Sequence, residues 1–388
     1  MRFLVFISTA ALFVSCEQKP EESPVITEVL SAESAFQETW PASRGGAGLS
    51  GRAEGAILKK PELKWSLKTE FPIASEAVIT GELVIVGNDG GEVFALGLAD
   101  GNEVWKKTLP EGVEGAGAIW EDLVFIPCMD GKLYALSLSD GSEEWTYETR
   151  EKITAGANLA KDPAGGGDLI VFNGYDGASR CLRAATGEEI WVYETEKFIN
   201  GTPALIGGDR LAFGGCDQSL YVLDLKIGKL IQEIPTEAEI TSTVATDGNF
   251  MVVGNYGNQV VAAEAGAEGL KWIYTDRRFP FMSALAIGET LVYAGCRDKK
   301  VHAIDRKTGE GKWTFATGGR VESSPLLFDD GLLFGSSDGR LYGVDDELGS
   351  EIWRLDLGES LIAAPATAQG MVIVGGEKGT LFAVGEGS

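Results

Sequence analysis

Histidine is nearly absent from this sequence, since His302 is the only one in 388 residues. That scarcity excludes a zinc site built from several histidines and leaves little room for Ser-His-Asp catalysis. A glycine-rich phosphate loop, a CxxC pair and an HExxH motif are missing as well. The sequence therefore favours a non-enzymatic protein without a cofactor or metal, and His302 is predicted to be a packed strand residue.

Cysteine is scarce too, with five in the chain, none adjacent to another. Cys128 and Cys296 occupy one repeat position, two residues before a turn aspartate, where other repeats carry Asn, Ser or Gly. A position that accepts only small residues points to packing. We predict buried thiols and no disulfide.

Positive charge is the next deficit, with 33 basic against 58 acidic residues and a net charge of −25. This balance argues against a nucleic-acid-binding surface spread over the whole protein. Long apolar runs are also rare, and the longest, residues 3–14, is shorter than the ~20 residues that span a bilayer. It suits the apolar core of a signal peptide.

The apolar run ends at Ser15 and Cys16, which resembles a bacterial lipobox. We predict a lipoprotein-type signal peptide over residues 1–15, with lipidation of Cys16. An acidic tether and a glycine-rich lead-in would occupy residues 16–60. The protein would be exported and lipid-anchored in the bacterial envelope, facing the periplasm, with the outer membrane favoured.

Glycine is abundant, at 52 residues, nearly twice the usual ~7%, and it marks an internal repeat. Eight equivalent positions follow one another at spacings of 40, 46, 41, 40, 41, 40 and 40 residues: Phe94, Tyr134, Arg180, Tyr221, Val261, His302, Tyr342 and Phe382. The extra residues fall in a longer hairpin at 162–168. Each unit has alternating apolar runs separated by Asp-Gly, Thr-Gly or Gly-Gly turns, which predicts four antiparallel strands.

Four short strands per ~40 residues are typical of a propeller blade. We predict an all-β, eight-bladed β-propeller over residues 61–388. The last unit has room for three strands only, whereas Trp65 belongs to a strand with no unit before it. The N-terminal strand should therefore complete the last blade and close the ring, with no unpaired edge.

Seven tryptophans recur in register and are predicted to dock each blade against the next: Trp65, Trp105, Trp145, Trp191, Trp272, Trp313 and Trp353. At the remaining one of the eight equivalent positions, between Trp191 and Trp272, Gln232 replaces tryptophan. Trp120 occupies a turn position instead, so we expect it to be exposed and available to a partner. Trp40 lies outside the ring and has no predicted place.

The segments AIDRKTGEGKW (303–313) and CLRAATGEEIW (181–191) resemble the tryptophan-docking motif of the PQQ-like β-propeller repeat family. The resemblance covers residues 61–388. The family includes quinoprotein dehydrogenases and non-enzymatic exported lipoproteins similar to the BamB propeller of outer-membrane assembly. Quinoprotein alcohol dehydrogenases of this fold have adjacent cysteines and calcium ligands on much longer chains, features that this sequence lacks.

One sector of the acidic ring is expected to be basic. Loops of neighbouring blades supply a predicted partner-binding set: Arg277, Arg278, Phe279, Arg297 and Arg320. We predict a membrane-tethered scaffold that is a monomeric ring and binds an envelope protein or peptide. Outer-membrane protein assembly is one role that such a scaffold would serve. The alternatives are a quinoprotein oxidoreductase using PQQ with calcium, or a ligand-sensing propeller.

Overall fold

A computed structural model describes residues 37–276 and 279–387 of the chain. Within these residues, 32 strands form eight four-stranded sheets, all antiparallel, and a 3-10 turn at Ser43–Gly45 precedes them. The prediction of an all-β, eight-bladed propeller is confirmed. None of the helical structure in the described ranges is long and apolar enough to cross a membrane.

The blades are numbered from the N-terminus, and each is given with its strands from the inner to the outer edge. Blade 1 is β2–β5 (Val78–Thr80, Leu83–Gly87, Glu92–Gly97, Glu103–Thr108), blade 2 is β6–β9 (Ala118–Trp120, Leu123–Pro127, Lys132–Ser137, Glu143–Glu148), blade 3 is β10–β13 (Ala157–Lys161, Asp168–Asn173, Ala178–Arg183, Glu189–Glu194), and blade 4 is β14–β17 (Ala204–Ile206, Arg210–Gly214, Ser219–Asp224, Leu230–Pro235). Blade 5 is β18–β21 (Ala245–Asp247, Phe250–Gly254, Val260–Glu264, Leu270–Tyr274), blade 6 is β22–β25 (Ala286–Ile287, Leu291–Cys296, Lys300–Asp305, Gly311–Ala316), blade 7 is β26–β29 (Leu326–Phe328, Gly331–Gly335, Arg340–Val344, Glu351–Asp356), and blade 8 is β30–β32 (Ala366–Ala368, Met371–Gly375, Thr380–Glu386) with β1 (Pro61–Lys68) as its outer strand.

Closure of the ring follows the prediction. Strand β1 pairs antiparallel with β32, from Pro61 opposite Glu386 to Lys68 opposite Thr380. The register shifts at Lys64, so that Trp65 lies opposite Ala383. Blade 1 has the same irregularity before Trp105, which lies opposite Ala95. The N-terminal strand therefore reproduces an ordinary fourth strand, although it lies more than 300 residues from its partner.

The tryptophans join neighbouring blades through one repeated hydrogen bond. Each indole N–H donates to a backbone carbonyl of the following blade, at 2.5–3.2 Å: Trp65 to Leu98, Trp105 to Leu138, Trp145 to Ala184, Trp191 to Leu225, Trp272 to Arg306, Trp313 to Asp346 and Trp353 to Leu58. A glycine in the next blade receives the ring: a Cβ on Gly101 would lie 2.6 Å from Trp65. Only a residue without a side chain allows this approach.

Two contacts complete the series where the pattern changes. Gln232 takes the place of a tryptophan, and its amide donates to the Ala267 carbonyl while accepting from the Gly266 N–H. In blade 8 the outer strand is β1, so no hairpin joins it to the third strand. The carbonyl that accepts the Trp353 hydrogen bond therefore comes from Leu58, just ahead of β1. The contacts between blades thus continue around the ring.

The strands alternate in direction, so the two faces of the ring carry different loops. We call upper the face that holds the connections between blades and the loops between each blade's second and third strands. The lower face holds the other two kinds of hairpin. The longer hairpin at 162–168 lies on the lower face, where the Asp162 carboxylate accepts from two backbone N–H groups and from Arg183.

The lead-in, residues 37–58, lies across the lower face and packs against the innermost strands. Its backbone bonds to six blades: Trp40 with Ile79, Pro41 with Ile119, Ala47 with Leu205, Gly48 with Thr246, Ser50 with Ile287 and Gly51 with Leu327. The side-chain amide of Asn158 in blade 3 donates to the Ala47 carbonyl of the lead-in. The side-chain amide of Gln37 in the lead-in donates to the Thr367 carbonyl of blade 8. Trp40 is fully buried. The lower end of the central channel is therefore closed by the chain itself.

Candidate functional site

The predicted arginine set lies on the upper face, and its described members are close together. Arg297 is in the loop between β23 and β24, and Arg320 is in the connection from blade 6 to blade 7. The Val321 N–H donates to the Cys296 carbonyl at 3.1 Å, which brings the two loops side by side. Phe279, in the connection from blade 5, is 46% exposed beside them. Arg277 and Arg278 lie outside the described residues.

The charges of this region are partly compensated. Arg297 Nε lies 2.5 Å from Glu322 Oε1, and both side chains are partly exposed. An exposed pair of this kind is worth ~0–1 kcal/mol, so it positions the guanidinium more than it stabilises the ring. Arg320 is exposed. The region offers one guanidinium oriented by Glu322 and a second, exposed one next to an exposed aromatic ring, which suits a protein surface containing carboxylates.

Sequence reasoning missed an aromatic extension of this region over blades 3–5. Tyr175 and Phe198 stack with centroids 4.3 Å apart and planes 11° apart, and the Lys152 ammonium lies 4.7 Å from the Tyr175 ring centre. Phe198 and Tyr256 are each 48% exposed and border a groove of about 600 Å³. A tyrosine at a turn position of two repeats, 175 and 256, was the available sequence signal.

We call the combined surface the upper-face sector. It comprises Lys152, Tyr175, Phe198, Tyr256, Phe279, Arg297 and Arg320. Exposed aromatic rings with arginine are enriched at protein interfaces, where they supply most of the binding energy. The sector runs over four consecutive blades, and its basic side chains lie among carboxylates, since Glu196 and Glu239 line the same groove as Phe198 and Tyr256.

Trp120 does not belong to this surface. It ends β6 on the lower face, is half-buried, and donates its indole N–H to Asp168 of blade 3 at 2.6 Å. Lys161 binds the same carboxylate at 2.7 Å, and these two contacts hold the pKa of Asp168 below its usual value. The structure thus separates Trp120 from the arginines and gives it a contact within the ring.

His302 lies in strand β24 and is fully buried. Its Nε2 is 3.2 Å from both Asp298 oxygens, and its Nδ1 is 3.0 Å from the Tyr274 hydroxyl. Three repeats place a tyrosine here that donates to the equivalent aspartate: Tyr134 to Asp130, Tyr221 to Asp217 and Tyr342 to Asp338. Arg180 forms an ion pair with Asp176 in the same way and faces the Tyr147 ring of blade 2. In these blades the residue at this repeat position contacts the aspartate four residues before it.

The four described cysteines are buried as free thiols. Burial raises the pKa of Cys128, Cys181 and Cys296 to about 12. At neutral pH these thiols are protonated and packed, and the small-residue repeat position predicted this packing for Cys128 and Cys296.

The upper end of the central channel forms a polar cavity of about 190 Å³. Its lining includes the carboxyl groups of Glu76, Glu114 and Glu322, together with Thr154 and Asn200. Pyrroloquinoline quinone is a tricarboxylate, and carboxyl-lined walls repel such an anion. At the base of the channel, the Arg44 guanidinium is already committed to the carbonyls of Ser324, Leu285 and Pro325. These residues do not fit the quinone.

Comparison with known proteins gives one family and many similar folds. The family model described as outer membrane protein assembly factor BamB matches residues 52–198, 176–317 and 297–387. Among curated proteins, none matches this sequence.

Three solved structures illustrate the range of the fold. BamB from Moraxella catarrhalis is 17% identical, with 84% of this chain and 97% of that chain covered and a TM-score of 0.70. The computationally designed Ika8 protein is 16% identical, with coverages of 83% and 99% and a TM-score of 0.71. The quinohemoprotein alcohol dehydrogenase from Comamonas testosteroni is 14% identical, with coverages of 92% and 82% and a TM-score of 0.76. At these identities the structural likeness establishes the fold alone.

Proposed function

Because the chain belongs to the family of the outer membrane protein assembly factor BamB, we propose that it is a non-enzymatic scaffold that binds other proteins of the bacterial envelope. The observation that carries this proposal is the upper-face sector, where exposed aromatic rings and arginines lie on loops of consecutive blades. The family supports a role in outer-membrane protein assembly. The ring would act as a monomer, without nucleic acid.

The chemistry of the sector suggests what it binds. Phe198, Tyr256 and Phe279 offer apolar rings that are half exposed, and Arg297 and Arg320 offer forked donors for carboxylates. A partner segment with apolar side chains and flanking Asp or Glu would satisfy both. Attraction between opposite charges would speed the encounter, while burial of the rings would slow dissociation.

Export and a lipid anchor at Cys16 complete the proposal, and both concern residues outside the described ranges. The described chain begins at Gln37 on the lower face, where its side-chain amide donates to the Thr367 carbonyl. The sector lies on the opposite face.

A quinoprotein oxidoreductase is the second candidate, since quinohemoprotein alcohol dehydrogenase has the same fold. The carboxyl-lined channel argues against it. Addition of pyrroloquinoline quinone with calcium to the purified protein should produce no reduction of an artificial electron acceptor. Dye reduction that depends on both additions would overturn the scaffold proposal.

The scaffold proposal is tested by reversing the charge of the sector. Changing Arg277, Arg278, Arg297 and Arg320 to Glu should reduce by at least about tenfold the amount of outer-membrane assembly proteins that co-purify from detergent-solubilised membranes, because each change replaces attraction by repulsion. The melting temperature should stay nearly constant, since exposed ion pairs contribute ~0–1 kcal/mol.

The matched control carries the same charge change on the lower face. Its four substitutions to Glu are at Lys60, Lys226, Lys229 and Lys307, all exposed. This variant should retain wild-type co-purification. Equal capture by both variants would show that the sector is not the docking surface.

A further inference from the structure

Blade 6 brings together three different metal-ligand types at the upper end of strands β23 and β24. Cys296 Sγ, an Asp298 carboxylate oxygen and a His302 ring nitrogen all lie within 4.8 Å of one another. Cys296 is 2% exposed, and the side chains of Asp298 and His302 are 3% and 1% exposed. Thiolate, carboxylate and imidazole are the ligands that zinc takes in proteins.

The imidazole is held in the orientation that a ligand needs. Its Nδ1 faces the Tyr274 hydroxyl at 3.0 Å and Asp276 Oδ2 at 3.7 Å, which leaves Nε2 directed at Asp298. Metal-binding histidines commonly engage an oxygen acceptor through the ring nitrogen that does not bind the metal. The ring is further fixed by an edge contact with Phe281, whose centroid is 5.2 Å away.

Comparison between blades separates what the fold requires from what is particular to blade 6. Blade 2 has the same thiol and carboxylate, Cys128 and Asp130, but Tyr134 replaces the histidine and donates its hydroxyl to Asp130 at 2.6 Å. A tyrosine therefore suffices to hold this loop. In the part of the chain that the structure describes, thiol, carboxylate and imidazole coincide only in blade 6.

We propose that Cys296, Asp298 and His302 form a binding site for a zinc ion. In a tetrahedral zinc site the nitrogen and oxygen ligands lie about 3.4 Å apart, and sulfur and nitrogen about 3.6 Å apart. The separation of 3.2 Å between Nε2 and the Asp298 oxygens already matches, and Cys296 Sγ lies within 4.8 Å of both groups. On binding, the Cys296 S–H bond breaks, an S–Zn bond forms and the proton passes to solvent.

With three protein ligands, the fourth position of the tetrahedron is left to water. The backbone carbonyls of Phe279 and Pro280 each lie 3.7 Å from Cys296 Sγ. With one thiolate, one carboxylate and a neutral imidazole, the ion's two positive charges are balanced.

Cobalt(II) is a suitable probe, because it adopts the zinc geometry and a bound thiolate gives it a charge-transfer absorption in the near ultraviolet. Titration of the tag-free, metal-stripped protein with Co²⁺ should give this band at one equivalent per chain, and Zn²⁺ should abolish it by displacement. His302→Tyr, which recreates the tyrosine–aspartate bond of blade 2 and so is expected to fold, should lack the band. Cys296→Ser should lack it too.

The matched control is Cys128→Ser in blade 2, which should keep the wild-type band and stoichiometry. Circular dichroism melting of each variant reports folding independently of metal. No thiolate band in the wild-type protein, or an unchanged band in the folded His302→Tyr variant, would overturn the proposal. The result is independent of the scaffold proposal, since the titration involves no partner.

Discussion

At the scale of single residues, Arg44 of the lead-in and Glu76, just before β2, place opposite charges in the interior of the ring. They are 2% and 6% exposed. The Glu76 carboxylate accepts from the Trp40 indole, the Ser43 hydroxyl and the Arg44 N–H at 2.7–2.8 Å. Burial lowers the pKa of Arg44 to about 10, so it stays charged at neutral pH. Burial also raises the pKa of Glu76, and the Arg44 charge opposes that shift.

Removal of one partner of this pair should destabilise the fold strongly. We expect Arg44→Met to lower the free energy of unfolding by about 3–5 kcal/mol, because an uncompensated carboxylate is left buried. The double variant Arg44→Met, Glu76→Met should lose clearly less free energy of unfolding than the sum of the losses in the two single variants. Urea denaturation of the four proteins measures this coupling.

The exposed pair of Arg297 and Glu322 is the matched control for this cycle. The same substitutions there should show a coupling of ~0–1 kcal/mol. If the changes in the free energy of unfolding at positions 44 and 76 were strictly additive, the two charges would not stabilise each other.

At the scale of elements, strand β1 decides whether the ring closes. It supplies the fourth strand of blade 8, and Trp65 joins that blade to blade 1 through the bond to Leu98 at 2.8 Å. Without β1, the edge of β32 would be unpaired, and exposed edges invite association with other chains. The residues just before β1 also matter, because Leu58 accepts the Trp353 bond.

Trp65→Ala should therefore lower the melting temperature clearly, since removal of a large packed aromatic side chain typically costs ~3–5 kcal/mol. Trp120→Ala is the control: that indole is also half-buried and hydrogen-bonded, but it does not dock against a turn glycine. The melting temperature of the Trp120→Ala variant should fall less than that of Trp65→Ala. An unchanged midpoint for Trp65→Ala, measured by circular dichroism, would contradict the closure mechanism.

At the scale of the whole molecule, the two faces of the ring are unequal. The lead-in closes the lower end of the channel, whereas the upper face presents the sector. Removal of residues 1–15 would take away only Arg2 and leave 32 basic against 58 acidic residues, a net charge of −26. The exposed aromatic rings and the two arginines of the sector would then lie on a ring with a strong negative net charge, which disfavours general adhesion to other acidic surfaces.

Attachment to the membrane is the prediction that belongs to this scale. The wild-type protein should incorporate a palmitate analogue in cells, and Cys16→Ala should not, because the acyl chains are added at that cysteine. Fluorescence of the labelled band after gel electrophoresis measures incorporation. Cys128→Ser is the control and should label like the wild type; equal labelling of Cys16→Ala would exclude the lipoprotein hypothesis.

The sequence by itself determined the architecture. A period of about 40 residues, alternating apolar runs and recurrent Trp and Gly positions specify four strands per blade, eight blades and closure through β1. These signals are local and are repeated eight times, so one ambiguous unit is corrected by the others. Two of the predicted partner residues, Arg297 and Arg320, could also be assigned to the upper face from strand direction alone.

Only the tertiary structure decided how distant single residues meet. Arg44 contacts the Ser324 carbonyl across 280 positions, Trp40 enters the core, and Trp120 turns to Asp168 on the lower face. The stacked pair of Tyr175 and Phe198, like the thiol beside His302, depends on side chains from different loops. Such contacts occur once and have no period, and the energy of each depends on burial and orientation that only the closed ring provides.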